Sequence, residues 1–285
     1  MTRRKVAFGL VVLMVALGGF LLWGRGLATP VGAAEAGRRY LVAPDDPTAP
    51  GPRPPAGVYR YRTSGHEQVD RVAIDHTYPA ETVRVISWRG GCRWRETVPI
   101  FDQHVETYDF CSQDGDARDY AVSTRLTYFL VPYVQRLACA PLGRRLLAGA
   151  RPGTTVSWRC VEGASVSWNT TTYVGSETVA TGAGPATARH VRLVTGLSGR
   201  STGGAVRDLW LNRHGLVLKE ERQVLLRVRS GFVGVLTYRE RASFVLAALN
   251  LPARMELAPG ARGGDRPDMG WSSALARVPR RPVAS

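Results

Sequence analysis

In the stretch Leu216 to Arg229, the alternate residues Leu216, Leu218, Glu220, Arg222, Val224, Leu226 and Val228 are apolar except for an acid and a base in the middle. Alternate residues of a strand share one face, so this pattern places two charges where a core is expected. Glu240 interrupts Phe232, Leu236, Tyr238 and Phe244 of the next segment in the same way. An unpaired ion on a core face is costly, so each of these groups needs a partner. The functional reading is a polar spot in an apolar cavity, and it makes Glu220, Arg222, Glu240 and the nearby Trp210 the candidate ligand-binding residues. The plainer and commoner reading is a β-bulge at Glu220 that swaps faces, or a strand end projecting past the core.

Other chemistry is sparse. The histidines His66, His76, His104, His190 and His214 form no pair at metal-ligand spacing. His66 and His76 flank Glu67, Asp70 and Asp75, a set that reads as polar residues around a turn more readily than as an acid-base or metal cluster. Nucleophile elbows, zinc-protease helices, phosphate loops and dinucleotide fingerprints are missing from the sequence, and Gly196-Leu197-Ser198-Gly199 reads as a turn. These observations predict no catalytic residue, cofactor or metal, and an envelope hydrolase remains only as a third reading.

The four cysteines, Cys92, Cys111, Cys139 and Cys160, allow three pairings and lack zinc-type spacing. If Val98 faces Val105 across a hairpin, Cys92 faces Cys111, and Cys139 then pairs with Cys160 by exclusion. Each bond would close a loop of about 20 residues, worth roughly 3 kcal/mol in the chain-entropy model.

The elements that must position these residues read as strands. Val, Tyr, Trp and Thr cluster in Val58 to Ser64, Glu81 to Arg89, Cys92 to Val98, His104 to Cys111, Tyr120 to Phe129, Thr154 to Val161, Ser165 to Tyr173, Ala188 to Thr195, Val206 to Leu211, Leu216 to Arg229 and Phe232 to Phe244, with Gly, Asp, Asn and Pro between them. Cys92, Trp94, Glu96 and Val98 share one face. Asn212-Arg213-His214-Gly215 is a hairpin turn in which Asn and Gly tolerate positive φ. Val131 to Ala150 is expected to hold short helical turns, limited by Pro132 and Pro141. Gly65-His66-Glu67-Gln68-Val69 and Gly175-Ser176-Glu177-Thr178-Val179 share G-x-E-x-V. Each precedes an apolar-Arg-apolar segment, Val83-Arg84-Val85 and Val191-Arg192-Leu193, which suggests two related halves at about 57–125 and 154–245. The fold class is therefore mainly β, a curved antiparallel sheet or open half-barrel with few short helices.

Outside this 57–250 domain the composition changes. Val6 to Trp23 is an apolar run of 18 residues preceded by Arg3, Arg4 and Lys5. As a helix it is about 27 Å long, close to the roughly 30 Å core of a bilayer. Residues 1–27 therefore predict a retained single-pass anchor with a cytoplasmic tip and everything after Arg25 outside. Secretion after cleavage near Val31-Gly32-Ala33-Ala34 is the alternative. Residues 28–56 read as a Pro-rich linker, with the stretch Arg38 to Ala56 a stiff spacer, and residues 251–285 as a disordered basic tail. The net charge of +15 is spread thinly, since residues 57–250 carry 25 basic against 17 acidic side chains. No basic helix or nucleic-acid motif concentrates it, which argues against a nucleic-acid partner.

The anchor, the Pro-rich spacer, the opening Tyr59-Arg60-Tyr61-Arg62-Thr63-Ser64-Gly65 and the two cysteine pairs resemble membrane-anchored envelope proteins of actinobacteria. The later half, through Gly175-x-Glu177-x-Val179, His190-Val191-Arg192, Asp208 to Leu211 and Gly215-Leu216-Val217, is similar to periplasmic proteins of the lipoprotein-carrier type. That likeness implies a concave sheet able to cover apolar ligands. The expectation is a non-enzymatic, membrane-anchored extracytoplasmic protein that binds a lipidic ligand or an envelope partner. The alternative is a structural or interaction module of the envelope without a cavity.

Overall fold

The computed structural model describes residues 28–42, 52–71, 74–128, 131–230 and 234–250. The expected anchor, the expected tail and the middle of the Pro-rich stretch lie outside them. No helix among the described residues is long and apolar enough to cross a membrane.

After a short helix α1 (Ala33–Tyr40), the chain forms β1 (Gly57–Val69), β2 (Ile74–Thr77), β3 (Glu81–Trp88), β4 (Arg93–Phe101), β5 (His104–Gln113), β6 (Asp116–Tyr128), β7 (Val131–Cys139), β8 (Thr155–Glu162), β9 (Ser165–Thr181), β10 (Gly184–Ser198), β11 (Ser201–Leu211), β12 (Val217–Ser230) and β13 (Gly234–Asn250). From β3 to β13 each strand pairs antiparallel with the next, β1 pairs with β3, and β13 returns to β1. Twelve strands thus close a barrel, with β2 lying alongside the far end of β1. The open half-barrel expected from sequence is corrected by this seam, which runs from Val58 opposite Asn250 to Val69 opposite Tyr238. Gly65 lets the two backbones meet there, because a Cβ at that position would sit 2.4 Å from the Arg241 carbonyl oxygen.

Sequence alternation sorts residues between lumen and outer wall. Tyr59, Tyr61, Arg84, Ile86, Trp94, Phe110 and Phe244 are fully buried, and most of them form the main core inside the barrel. β3 is covered on both faces, since its outward residues Val83 and Val85, with Val58, pack under Val31 and Ala36 beside α1. Arg39 of α1 pairs with Asp102 at 2.5 Å. Beyond the helix, the carbonyl oxygens of Pro52, Pro54 and Pro55 accept bonds from Ser112, Trp88 and Tyr59. Both ends of the segment expected to be a free spacer are therefore packed against the barrel. Proline removes donors, but its carbonyl remains a full acceptor.

Two local expectations are also corrected. Val131 to Ala150 holds no helical turns: its first part is β7, paired with β6 along its length, and the rest is irregular backbone. Among the described residues β8 pairs with β7 only at Ala138 and Cys139, so Pro132 has β6 on one side and no β8 ladder on the other, an edge position where proline is tolerated. Both disulfides, Cys92 with Cys111 and Cys139 with Cys160, are present. Yet the hairpin register that suggested the first is off by one: Arg93 stands opposite Cys111, and Cys92 accepts a bond from the Ser112 amide. Cys139 and Cys160 are directly opposite. In the β11/β12 turn Gly215 takes positive φ as expected, whereas Asn212 contributes its side-chain oxygen to the amides of His214 and Leu216.

Candidate functional site in the barrel lumen

The bulge expected at Glu220 lies elsewhere. β12 keeps its alternation with Leu209 opposite Glu220 and Arg207 opposite Arg222, and the register shifts only beyond Trp210. Glu220 and Arg222 therefore stay inside, and neighbouring strands supply their partners. Glu220 accepts bonds from Arg84 of β3 and from Arg207 of β11, the latter at 2.7 Å. Arg84 also donates to Glu96 of β4 at 2.7 Å, and the other oxygen of Glu96 accepts from Arg145 at 3.1 Å. Arg222 donates to Glu106 of β5 at 2.6 Å, and its other terminal nitrogen stands 2.5 Å from Glu240. Glu240 accepts the hydroxyls of Tyr78 and Tyr238. Past Glu106 the chain of charges continues to His104 at 3.5 Å, then to Glu67 at 2.7 Å, which also meets His76 at 3.1 Å.

Among the described residues this network sets five glutamates, Glu67, Glu96, Glu106, Glu220 and Glu240, against Arg84, Arg145, Arg207, Arg222 and His104, all nearly dry. Burial pushes the Glu220 carboxyl up, but Arg207, Arg84 and Arg222 outweigh it and hold the group well below the carboxylate range. Glu106 is held down in the same way, against burial, mainly by Arg222 and His104. Burial presses His104 down, yet Glu67 and Glu106 prevail and hold it up at about 10, so at neutral pH it is the fifth cation. Aromatic faces take the remaining surface of the guanidiniums: Arg84 lies over Tyr61 and Phe244, Arg222 over Phe244, Arg207 over Tyr108 and Arg145 over Phe110. A planar, weakly hydrated guanidinium can fork to carboxylates and stack at once, which lysine cannot.

Beside the network the lumen holds a cavity of about 150 Å³. Its charged wall includes Arg145, Arg207, Arg222, Glu106, Glu240, His104 and Asp119. The rest of the lining is apolar or neutral: Leu126 stands opposite His104 and Leu193 opposite Arg207 on neighbouring strands, Leu209 is two residues from Arg207, and Leu137, Val191 and Trp158 complete it with Gln135, Ser167, Asn169 and Thr171. The arrangement can hold a small molecule with one polar and one apolar end.

The four sequence candidates separate. Arg222 and Glu240 line the cavity, while Glu220 is sealed behind them by Arg84 and Arg207. Trp210 is on the opposite face of β11 from the cavity-lining Leu209, so it belongs to the outer wall, where it stacks on His190 at 4.3 Å. The sequence reading missed Arg84, Glu96, Glu106, Arg145 and Arg207 as site residues. Part of the signal was present, because Arg84 sits in an apolar run and Glu96 on a face with Trp94 and Val98. The two G-x-E-x-V segments point opposite ways: Glu67 and Arg84 face the lumen, whereas Glu177 and Arg192 are exposed. Of the imagined His66 and His76 cluster, only the Glu67 to His76 contact forms; Asp75 accepts from Gln68, and Asp70 from the Thr237 amide. Comparison with protein-family models, with curated proteins and with solved structures finds no match to this chain.

Proposed function

We propose that this is an extracytoplasmic binding protein of the cell envelope, of the kind found anchored in actinobacterial membranes, that takes a small amphipathic molecule into its lumen without chemical change. The observation that carries the reading is the cavity whose lining combines ionic and aliphatic side chains. Ligand sites are commonly apolar pockets with a few well-placed polar groups. At about 150 Å³ the space suits a short amphiphile better than a whole lipid. Two disulfides support export, since such bonds persist in oxidising compartments. Native mass spectrometry of the purified full chain tests the binding: a copurifying small molecule supports it, and a bare mass from several preparations counts against it. Protease added to intact spheroplasts tests the topology, because digestion of the barrel supports an outward domain and protection until lysis reverses it.

An interaction module without a ligand is favoured by one observation on the outer wall. Val194 and Val206 stand opposite each other, Leu225 stands opposite Gly204, and all three aliphatic side chains are exposed. A Val206→Asp, Leu225→Asp double variant that loses a crosslinked envelope neighbour in cells, while a wild-type preparation carries no small molecule, would favour that reading.

A further inference from the structure

The cavity wall carries more hydrogen-bond donors than the protein uses. Arg207 spends its Nε on Glu220, and its Nη2 is buried with no partner. Arg145 donates through Nη2 to Glu96, and its Nε is likewise buried and unpartnered. Both side chains line the cavity and are more than nine-tenths buried. Of the carboxylates on this lining, Glu106 is occupied by Arg222 and Tyr108 and Glu240 by Arg222, Tyr78 and Tyr238, while Asp119 stands beside both arginines. A buried N–H without an acceptor is unfavourable, so this end of the cavity is built for an acceptor brought from outside.

Resting on the lumen-binding reading, we infer that the ligand is an aliphatic carboxylate whose head seats between Arg145 and Arg207 beside Asp119, with its chain against Leu137 and Leu193. With the Nε of Arg222, also buried and unpartnered on the same lining, the wall offers three spare nitrogens, enough for the lone pairs of a carboxylate; a phosphate would bring a second negative charge beside Asp119 and Glu106. A cavity of this volume holds on the order of ten water-sized groups, the size of octanoate.

Asp119 makes the seat sensitive to pH. Its carboxyl faces Arg145 from the segment after β7 and Arg207 from β11, with Asp116 on its own strand. The partner carboxylates Glu96 and Glu220 lie behind the arginines, and the cavity face of β5 adds Tyr108 and Glu106. Burial pushes Asp119 up to about 6 against the pull of Arg145 and Arg207. Above that pH its charge repels a bound carboxylate, and below it the neutral acid donates a hydrogen bond instead.

The test is calorimetric titration of the purified full chain with octanoate, octanol and octylammonium at pH 5.5 and pH 8. Octanoate should bind about tenfold tighter than octanol, with octylammonium weakest, and should bind tighter still at pH 5.5. Asp119→Asn, a near-isosteric change, should raise octanoate affinity at pH 8 and flatten the pH response. Octanol equal to octanoate, or octylammonium preferred, overturns the carboxylate assignment and leaves lumen binding standing. Octanoate preferred without any pH response overturns the seat beside Asp119. If none of the three binds, both readings fall.

Discussion

Two clusters of this barrel use the same residue types in opposite surroundings. In the lumen, Glu220 lies between Arg84 and Arg207 with no exposed surface. On the outer wall, Glu177 accepts from the Trp210 indole at 2.9 Å and meets His190 at 2.8 Å, while the other ring nitrogen of His190 stands 2.9 Å from Asp208. Arg192 forks to Asp208 and Lys219 lies over Trp210. The ring of Trp210 is buried, but the side chains of Glu177 and Arg192 are 47% and 54% exposed. The geometries are alike, and the difference is dielectric. Water competes for the bonds of Glu177 and Arg192 and screens their charges, so these pairs contribute little. The lumen pairs have lost that competition, which makes them indispensable to one another without making them a net source of stability.

The comparison breaks first at Glu220. Glu220→Ala leaves Arg84 and Arg207 without their shared carboxylate and should cost about 3 to 5 kcal/mol in a urea melt of the full chain. A loss within about 0.5 kcal/mol would mean that the lumen is as wet as the surface.

Next comes the pH dependence of His104. Its pKa is raised from 6.5 to about 10, so the stability it contributes is complete below pH 6.5 and is lost as pH rises through 10. Between those limits the wild type should lose stability with a slope on the order of 1.4 kcal/mol per pH unit, one proton's worth. His104→Gln should flatten that slope when denaturant midpoints are measured from pH 6 to 10; an unchanged slope would assign the effect to another group.

On the outer wall the effects shrink. Glu177→Ala removes bonds to Trp210 and His190 that water can replace in part, and thermal melts should show a loss of about 0.5 to 1 kcal/mol. Arg192→Ala should stay within about 0.5 kcal/mol and respond to salt only weakly. A loss at Arg192 comparable to that at Glu220 would erase the distinction between the two clusters.

The sequence carried much of this fold because strand alternation is local. The interruption at Glu220, Arg222 and Glu240 is visible in two short segments, and all three prove to face inward. Cys92 and Cys111 could be paired from the spacing of a single hairpin, even though the assumed register was one residue out. Other features had no local signature. β7 was hidden because Pro132 and Pro141 mimic the punctuation of short helices, and the pairing of β6 with β7 is what makes it a strand.

What the sequence determined by itself is therefore most of the strands, with β2 and β7 the exceptions, their alternation, and the presence of charges on a face that should be apolar. Closure was decided only in three dimensions, because β1 and β13 lie at opposite ends of the β region and nothing in either reveals the other. The same holds for the partners of the charges. Arg84 and Arg192 sit in matching apolar-Arg-apolar segments, yet one is sealed in the lumen and the other is exposed. A strand's period says which residues share a face but not which face is inside. That choice falls to the register and closure of the whole barrel, which bring Glu220 and Glu96 to Arg84 and leave Arg192 to Asp208 at the surface.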